Sequence, residues 1–284
     1  MIKVQNLAFS YTKKEYMTNI NFDVKDGEIF GFLGPSGAGK STLQKILTGV
    51  LSNYSGSVIV NDYEVKNANT DFYENIGVDF EFPSLYAKMS GEDNLKFFSS
   101  LYKKTLNPLE LLEKVGLQFD ASKKVSEYSK GMKSRLNFIK ALVHNPKTLF
   151  LDEPTSGLDP VFRDEFLDML LNIVQDEEKT ILFSTHITSD LDKIADYITY
   201  IHNGKIVFSK ERDQIYENYY LIKGSLEKLK NQEKLFIGIK KNKYGFEALT
   251  NNKKLVENQF GNDIIIERAN LEDIMVYYNK MEVV

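Results

Sequence analysis

Residues 34 to 42 read Gly-Pro-Ser-Gly-Ala-Gly-Lys-Ser-Thr. Two glycines five apart, followed by Lys40 and Ser41, fit the phosphate-cradling pattern. The pattern constrains the fold because it works only between a strand and a helix. Glu28–Leu33, bounded by Asp26-Gly27, reads as a short buried strand. Ser41–Val50 carries Leu43, Ile46, Leu47 and Val50 at helical spacing. In that setting the glycines let the backbone bend around an anion and point successive N–H groups inward. The helix aims its positive dipole end at the same place. Gly34, Pro35, Ser36, Gly37, Ala38, Gly39, Lys40, Ser41 and Thr42 are therefore the candidate nucleotide loop. Lys40 is placed to reach the β- and γ-phosphates, and the Ser41 hydroxyl to ligate Mg²⁺.

The 284 residues suffice for one large domain and a small one. A formal net charge of −4 gives no bulk basicity, so no nucleic-acid partner is expected. The absence of cysteine excludes disulfides and thiolate metal sites. No apolar run has the length of a membrane span, and Met1–Asn6 lacks the apolar core of a signal peptide. A cytoplasmic protein is expected, with any membrane anchor supplied by something else.

Residues 2–11, Met17–Val24 and Ser57–Val60 read as strands, the last ending in a turn at Asn61-Asp62, and give a β-rich start. From about Leu85 to Leu142 the pattern is helical, an inserted subdomain. Ser90 and Asp93 resemble a capping box, Asn107-Pro108 starts a helix that Gly116 stops, and a third helix runs from Met132 to Val143. Thr148–Leu151 and Thr180–Ser184 are short buried strands. Asp159-Pro160 begins a helix with Phe166, Leu167, Leu170, Leu171 and Val174 on its buried side. A further helix crosses Ser189–Ala195, and Asn203-Gly204 marks a hairpin between Tyr197–Ile201 and Lys205–Phe208. The fold class is α/β: a P-loop NTPase core over 1–218 with an antiparallel β subdomain and the helical insertion. Residues 219–284 form a small α+β appendage, with strand-like pieces at Leu235–Ile239 and Asp263–Glu267. Its closing helix, Leu271–Lys280, buries Leu271, Ile274, Met275 and Tyr278.

Asp152 and Glu153 end one buried strand. Asp152 is placed to hold Mg²⁺ through water, and Glu153 to take a proton from an attacking water. With these residues on the page, the chain resembles the nucleotide-binding subunit of an ATP-binding cassette transporter, over about residues 1–210. The resemblance implies ATP and Mg²⁺ as cofactors, hydrolysis to ADP and phosphate, a membrane-spanning permease and a second cassette, identical or a close paralogue. It also implies a place on the cytoplasmic face of the membrane. Tyr11 then matches the aromatic that stacks on adenine. Tyr128-Ser129-Lys130-Gly131-Met132 occupies the signature, usually Leu-Ser-Gly-Gly-Gln, whose Ser129 and Gly131 would hold a γ-phosphate bound to the opposite subunit. Ser156-Gly157-Leu158-Asp159 matches the loop that crosses between cassettes, and Asp159 is also an excellent N-cap. His186 matches the switch histidine that contacts the γ-phosphate and helps hold the attacking water.

Two departures stand out. In Gly77–Pro83, Glu81 falls where the family has glutamine, and a carboxylate there can still ligate Mg²⁺. In the signature, Met132 replaces the usual glutamine and Lys130 a glycine, and Lys130 either points to solvent or adds charge near phosphate. Phe82, Leu85, Tyr86 and Met89 are either a docking surface for the permease or core. Within the family, the chain resembles bacterial exporters with a separate permease, serving drug, lantibiotic, bacitracin or sodium efflux. The alternatives are a soluble cassette ATPase acting on ribosomes or DNA, and a nucleotide-regulated binding or immunity module with little hydrolysis.

Overall fold

The computed structural model describes residues 1–13, 16–82, 84–177, 179–261 and 263–279, without the side chains of 176 and 177. Pro83 and Lys280 lie outside the described residues. The chain divides into two compact units, Met1–Ser209 and the residues from Lys210 on.

The first unit opens with β1 (Ile2–Phe9), β2 (Met17–Val24), β3 (Ile29–Leu33), α1 (Lys40–Leu47), β4 (Tyr54–Val60), β5 (Tyr63–Glu64), α2 (Thr70–Glu74) and β6 (Ile76–Asp79). The insertion holds α3 (Gly91–Ser99), α4 (Pro108–Lys114) and α5 (Lys130–Leu142). The unit closes with β7 (Thr148–Asp152), α6 (Pro160–Glu177), β8 (Thr180–Thr185), α7 (Thr188–Ile194), β9 (Tyr197–His202) and β10 (Lys205–Glu211).

Two sheets build this unit. One is antiparallel, in the order β2-β1-β4-β5, and its first two strands mix buried and exposed positions as a sheet covered on one face requires. The other runs β10-β9-β3-β8-β7-β6, with parallel pairing from β9 through to β6. Every residue of β3, β7 and β8 is buried, which explains their continuous apolar runs. Phe30, Phe32, Phe150 and Leu182 of this sheet share one core with Ile2, Val4, Ile20 and Val58 of the other.

The expected helix starts hold. Ser90 Oγ accepts from Asp93 N at 3.0 Å and donates to the Asp93 carboxylate at 2.7 Å. Asn107 caps α4, whose first residue is Pro108. Asp159 caps α6, accepting from Phe162 N at 3.0 Å, and this N–H holds the Asp159 carboxyl below its ordinary range. The buried face of α6 is rotated from the expected one. Phe162 and Ile173 are buried while Leu171 and Val174 are half-buried. The helical reading from Leu85 starts too early, since α3 begins only at Gly91.

The second unit has α8 (Arg212–Asn218), β11 (Tyr220–Gly224), α9 (Leu226–Leu229), β12 (Gly238–Asn242), β13 (Gly245–Thr250), α10 (Lys253–Phe260), β14 (Ile265–Arg268) and α11 (Leu271–Asn279). Its antiparallel sheet runs β12-β13-β11-β14 over a core of Ile222, Phe246, Ala248, Val256 and Phe260. The expected strand at Leu235–Ile239 is displaced: Glu233–Leu235 is a 3-10 turn and the strand starts at Gly238. In α11, Tyr277 takes the buried place expected of Tyr278, and Met275 is half-buried.

Candidate active site

The parallel sheet fixes where chemistry can happen. In register, Asp79 of β6 lies beside Leu151 of β7, Asp152 beside Ser184 of β8, and Thr185 beside Leu33 of β3. The carboxyl ends of four strands therefore deliver Glu81, Glu153, His186 and the Gly34–Thr42 loop to one edge, where open α/β sheets place their ligands.

The loop is held by its close approaches. A Cβ on Gly34 would lie 2.4 Å from the Ile201 carbonyl oxygen, so only glycine lets this chain pass. Gly39, at φ +114°, is the left-handed N-cap from which α1 springs. Lys40 is 6% exposed; its Nζ donates to the Gly34 and Pro35 carbonyls at 2.8 and 3.3 Å and lies 3.4 Å from the Glu153 carboxylate. Tyr11 is exposed beside the loop, its hydroxyl 2.9 Å from Thr42 Oγ1 and its ring edge-on to Phe9. Tyr16, which the sequence did not single out, donates to the Gly37 carbonyl at 3.1 Å. Gln44, on the helix itself, donates to the Leu151 carbonyl at 3.0 Å and ties α1 to the end of β7.

Glu153 is the pivot. Its φ of +52° is left-handed, a conformation costing an L residue roughly 1 kcal/mol or more. Its own N–H donates to the Ser184 carbonyl at 2.9 Å. This turn points a nearly buried carboxylate at two cations or donors. One oxygen faces Lys40; the other accepts from His186 Nδ1 at 2.8 Å and from His186 N at 3.3 Å. A carboxylate only accepts, so Nδ1 carries the proton and the exposed ring leaves Nε2 free to accept. Asp152, buried, accepts from Ser184 Oγ at 2.5 Å.

A cavity of about 290 Å³ opens beside this pair and is lined by Glu81, Lys130, Asp152, Glu153 and Ser156 among others. Glu81 and Lys130 thus line one cavity, and the end of the Lys130 side chain lies against Gly157. Asp79, also on the cavity wall, is a buried acid that sequence reasoning passed over. Burial pushes its pKa up to about 7, with the Asp152 charge adding to the rise and Lys140 and the Asn137 amide opposing it.

Ser129 and Gly131 lie at the start of α5. Ser129 Oγ accepts from Met132 N at 3.2 Å as the cap of α5, which leaves its proton to donate. A Cβ on Gly131 would meet only Gly157 O and Ser129 Oγ, both at 3.9 Å, so packing alone does not demand glycine there.

The donor set fits a hard cation: the Ser41 hydroxyl and the carboxylates of Asp152 and Glu81 are all oxygens. No group of three or more His, Asp or Glu with metal-holding geometry occurs among the described residues.

The ABC transporter family model matches residues 17–156. A fluoroquinolones export ATP-binding protein of Mycobacterium tuberculosis is 45% identical over 210 residues, 73% of this chain and 69% of that protein. The chain belongs to the ABC transporter ATP-binding proteins. The lantibiotic transport ATP-binding protein SrtF of Streptococcus pyogenes is 40% identical, across 75% of this chain and 92% of its own length. A solved ATP-binding subunit of an ABC transporter, 26% identical, overlays with a TM-score of 0.70 over 76% of this chain and 92% of that one. A dimeric cassette bound to ADP and Pi, 22% identical, overlays with a TM-score of 0.69 and shares the fold. This cassette is an ATP-binding and ATP-hydrolysing subunit.

Proposed function

We propose that two cassettes close over two ATP molecules and that the closure drives export through a separate membrane-spanning permease. The observation that carries the catalytic part is the Glu153 carboxylate, held between Lys40 and His186 on a left-handed residue. Glu153 takes the proton of the attacking water, and His186 accepts from that water at Nε2 and so holds it against the γ-phosphate. The Gly34–Thr42 N–H groups and Lys40 grip the phosphates, and Tyr11 supplies the face for the adenine. Ser41, Asp152 and Glu81 would hold Mg²⁺, which when bound neutralises charge on the β- and γ-phosphates. Ser129 and Gly131, at the N-terminus of α5, grip the γ-phosphate held by the partner.

Phe82 is 80% exposed, and the exposed rings of Tyr86 and Phe97 meet edge-to-face at 4.9 Å. Exposed aromatics that follow Glu81 in the chain suit the permease as their occupant, and Leu85 and Met89 are half-buried. No helix among the described residues is long and apolar enough to cross a membrane, so attachment through those aromatics would place the cassette at the cytoplasmic face. The two named relatives are fluoroquinolone-export and lantibiotic-transport proteins, which favours a drug or peptide exporter over a ribosome- or DNA-directed ATPase or a module that hardly hydrolyses.

Glu153→Gln tests the reading. With MgATP the variant should accumulate as an ATP-loaded dimer on size-exclusion chromatography, with phosphate release reduced by about a hundredfold or more. A variant that stays monomeric and turns over like wild type refutes it.

A further inference from the structure

The carboxylate of Asp190 is 1% exposed and lies on α7, one helical turn beyond His186. Its Oδ2 accepts from Thr155 Oγ1 at 2.6 Å. Its Oδ1 accepts from Arg163 Nε at 2.7 Å and from Arg163 Nη2, which also donates to Ser189 Oγ at 3.0 Å. The partners bracket the machinery. Thr155 follows Glu153 by two residues and immediately precedes the 156–159 loop. Arg163 sits in the first turn of α6, where that loop ends, and its N–H donates to the Asp159 carbonyl at 2.9 Å.

We propose that Asp190 is a positioning residue: one buried carboxylate that fixes the Glu153 turn, both ends of the 156–159 loop and the helix after His186 in a single register. Glu153 and His186 come from different strands, β7 and β8, and each lies just past its strand's end. Backbone pairing sets the strands, as in Glu153 N to Ser184 O, but not the two side chains that meet beyond them. The Thr155–Asp190 bond ties the turn that follows Glu153 to the helix that follows His186. The guanidinium makes the arrangement stiff, because its Nε and Nη2 both converge on Oδ1 while Thr155 holds Oδ2. A loop clamped at both ends to the same carboxylate moves with the Glu153–His186 pair, so a partner cassette touching residues 156–159 acts on that pair through Asp190.

The inference rests on the proposed roles of Glu153 and His186, and the test separates the two. Thr155→Val removes the hydroxyl at almost constant volume, and Thr155→Ser restores it. For Thr155→Val, kcat should fall by about thirty- to a hundredfold while the Kd for MgATP stays within about threefold, the pattern of lost alignment rather than lost binding. Thr155→Ser should recover most of the rate. In the nucleotide-free protein, wild type and Thr155→Ser should show a hydrogen-bonded Nδ1 proton for His186 by NMR, and Thr155→Val and Asp190→Asn should lose it. That signal reads the geometry whatever Glu153→Gln shows about catalysis. Wild-type kcat with an unmoved His186 signal in folded Thr155→Val overturns the proposal. So does a loss of MgATP affinity in proportion to kcat, which would make Asp190 a support for the nucleotide pocket at large.

Discussion

Asp79 should make wild-type stability fall between acid and neutral pH, and Asp79→Asn should abolish that fall. The side chain ends β6 and is 5% exposed. The groups that face it are Asp152 on β7 and Asn137 and Lys140 on α5; Asn137 Nδ2 donates to Asp79 and to the Phe80 carbonyl, and Lys140 to Asn137 Oδ1. Burial is the largest cause of a pKa raised from 3.8 to about 7, and burial likewise lowers the Lys140 ammonium. Between those two values the unfolded chain has lost the proton and the folded chain keeps it. The stabilisation is therefore complete below about pH 4 and is lost as pH rises through about 7. At roughly 1.4 kcal/mol per pH unit the whole interval amounts to about 4 kcal/mol, of which about 2–3 kcal/mol falls between about pH 5 and 7.5. In Asp79→Asn the amide oxygen still accepts from Asn137 and nothing titrates. Other carboxylates are common to both proteins, so the difference between them isolates Asp79. Urea unfolding read through hydrogen exchange of β7 amides, at several pH values, gives that difference. It should grow in favour of the variant by about 2–3 kcal/mol from acid to neutral pH. A difference that stays flat refutes the buried-acid reading.

Gly34→Ala should lose both thermal stability, by about 1–3 kcal/mol, and MgATP binding, because its methyl meets the rigid Ile201 carbonyl. Gly37→Ala meets nothing within 4 Å and suffers only the φ of +80°, about 1–2 kcal/mol, so calorimetry and nucleotide titration should rank it as the milder change. Glu81→Gln and Lys130→Gly, which restore the family residues, should be non-additive in kcat/KM by about 0.5 kcal/mol, since opposite charges line one cavity but both are exposed. Additivity within error, with no change in salt dependence, would separate the two positions.

The site was legible where chemistry imposes residue type and spacing together. Gly34 and Gly39, Lys40, Asp152 and Glu153 each fit a pattern that strands and helices could be hung on, and the structure gathers their strand ends at one edge. Residues that act through other residues left a fainter trace. Thr155, Arg163 and Asp190 read as an ordinary turn, an exposed helix face and a helix start, and only the fold brings them within hydrogen-bonding distance. Asp79 did offer a sign: a carboxylate following Ile-Gly-Val, where a buried parallel strand wants an apolar residue. Lys130 was open between solvent and phosphate. It is exposed, yet it lines the cavity of its own chain's Glu153, a placement that no local pattern encodes.

The second unit shows the opposite limit. Its closing helix was readable because a helix repeats its buried face and declares its start. Asn270 accepts from Asp273 N at 2.8 Å, and the Asp273 carboxylate accepts from Asn270 N at 3.1 Å, a reciprocal cap written in the sequence. The strand β11 buries two adjacent residues of five and β13 buries five of six, so neither alternates with a period of two. Their register is set instead by contacts far apart in sequence. A Cβ on Gly245 would lie 2.3 Å from the Gly224 carbonyl oxygen, so the β11–β13 pair closes only with glycine there. Local pattern thus locates elements that are long or capped, whereas short antiparallel strands take their places from partners, and that is why Leu235–Ile239 was read a few residues early.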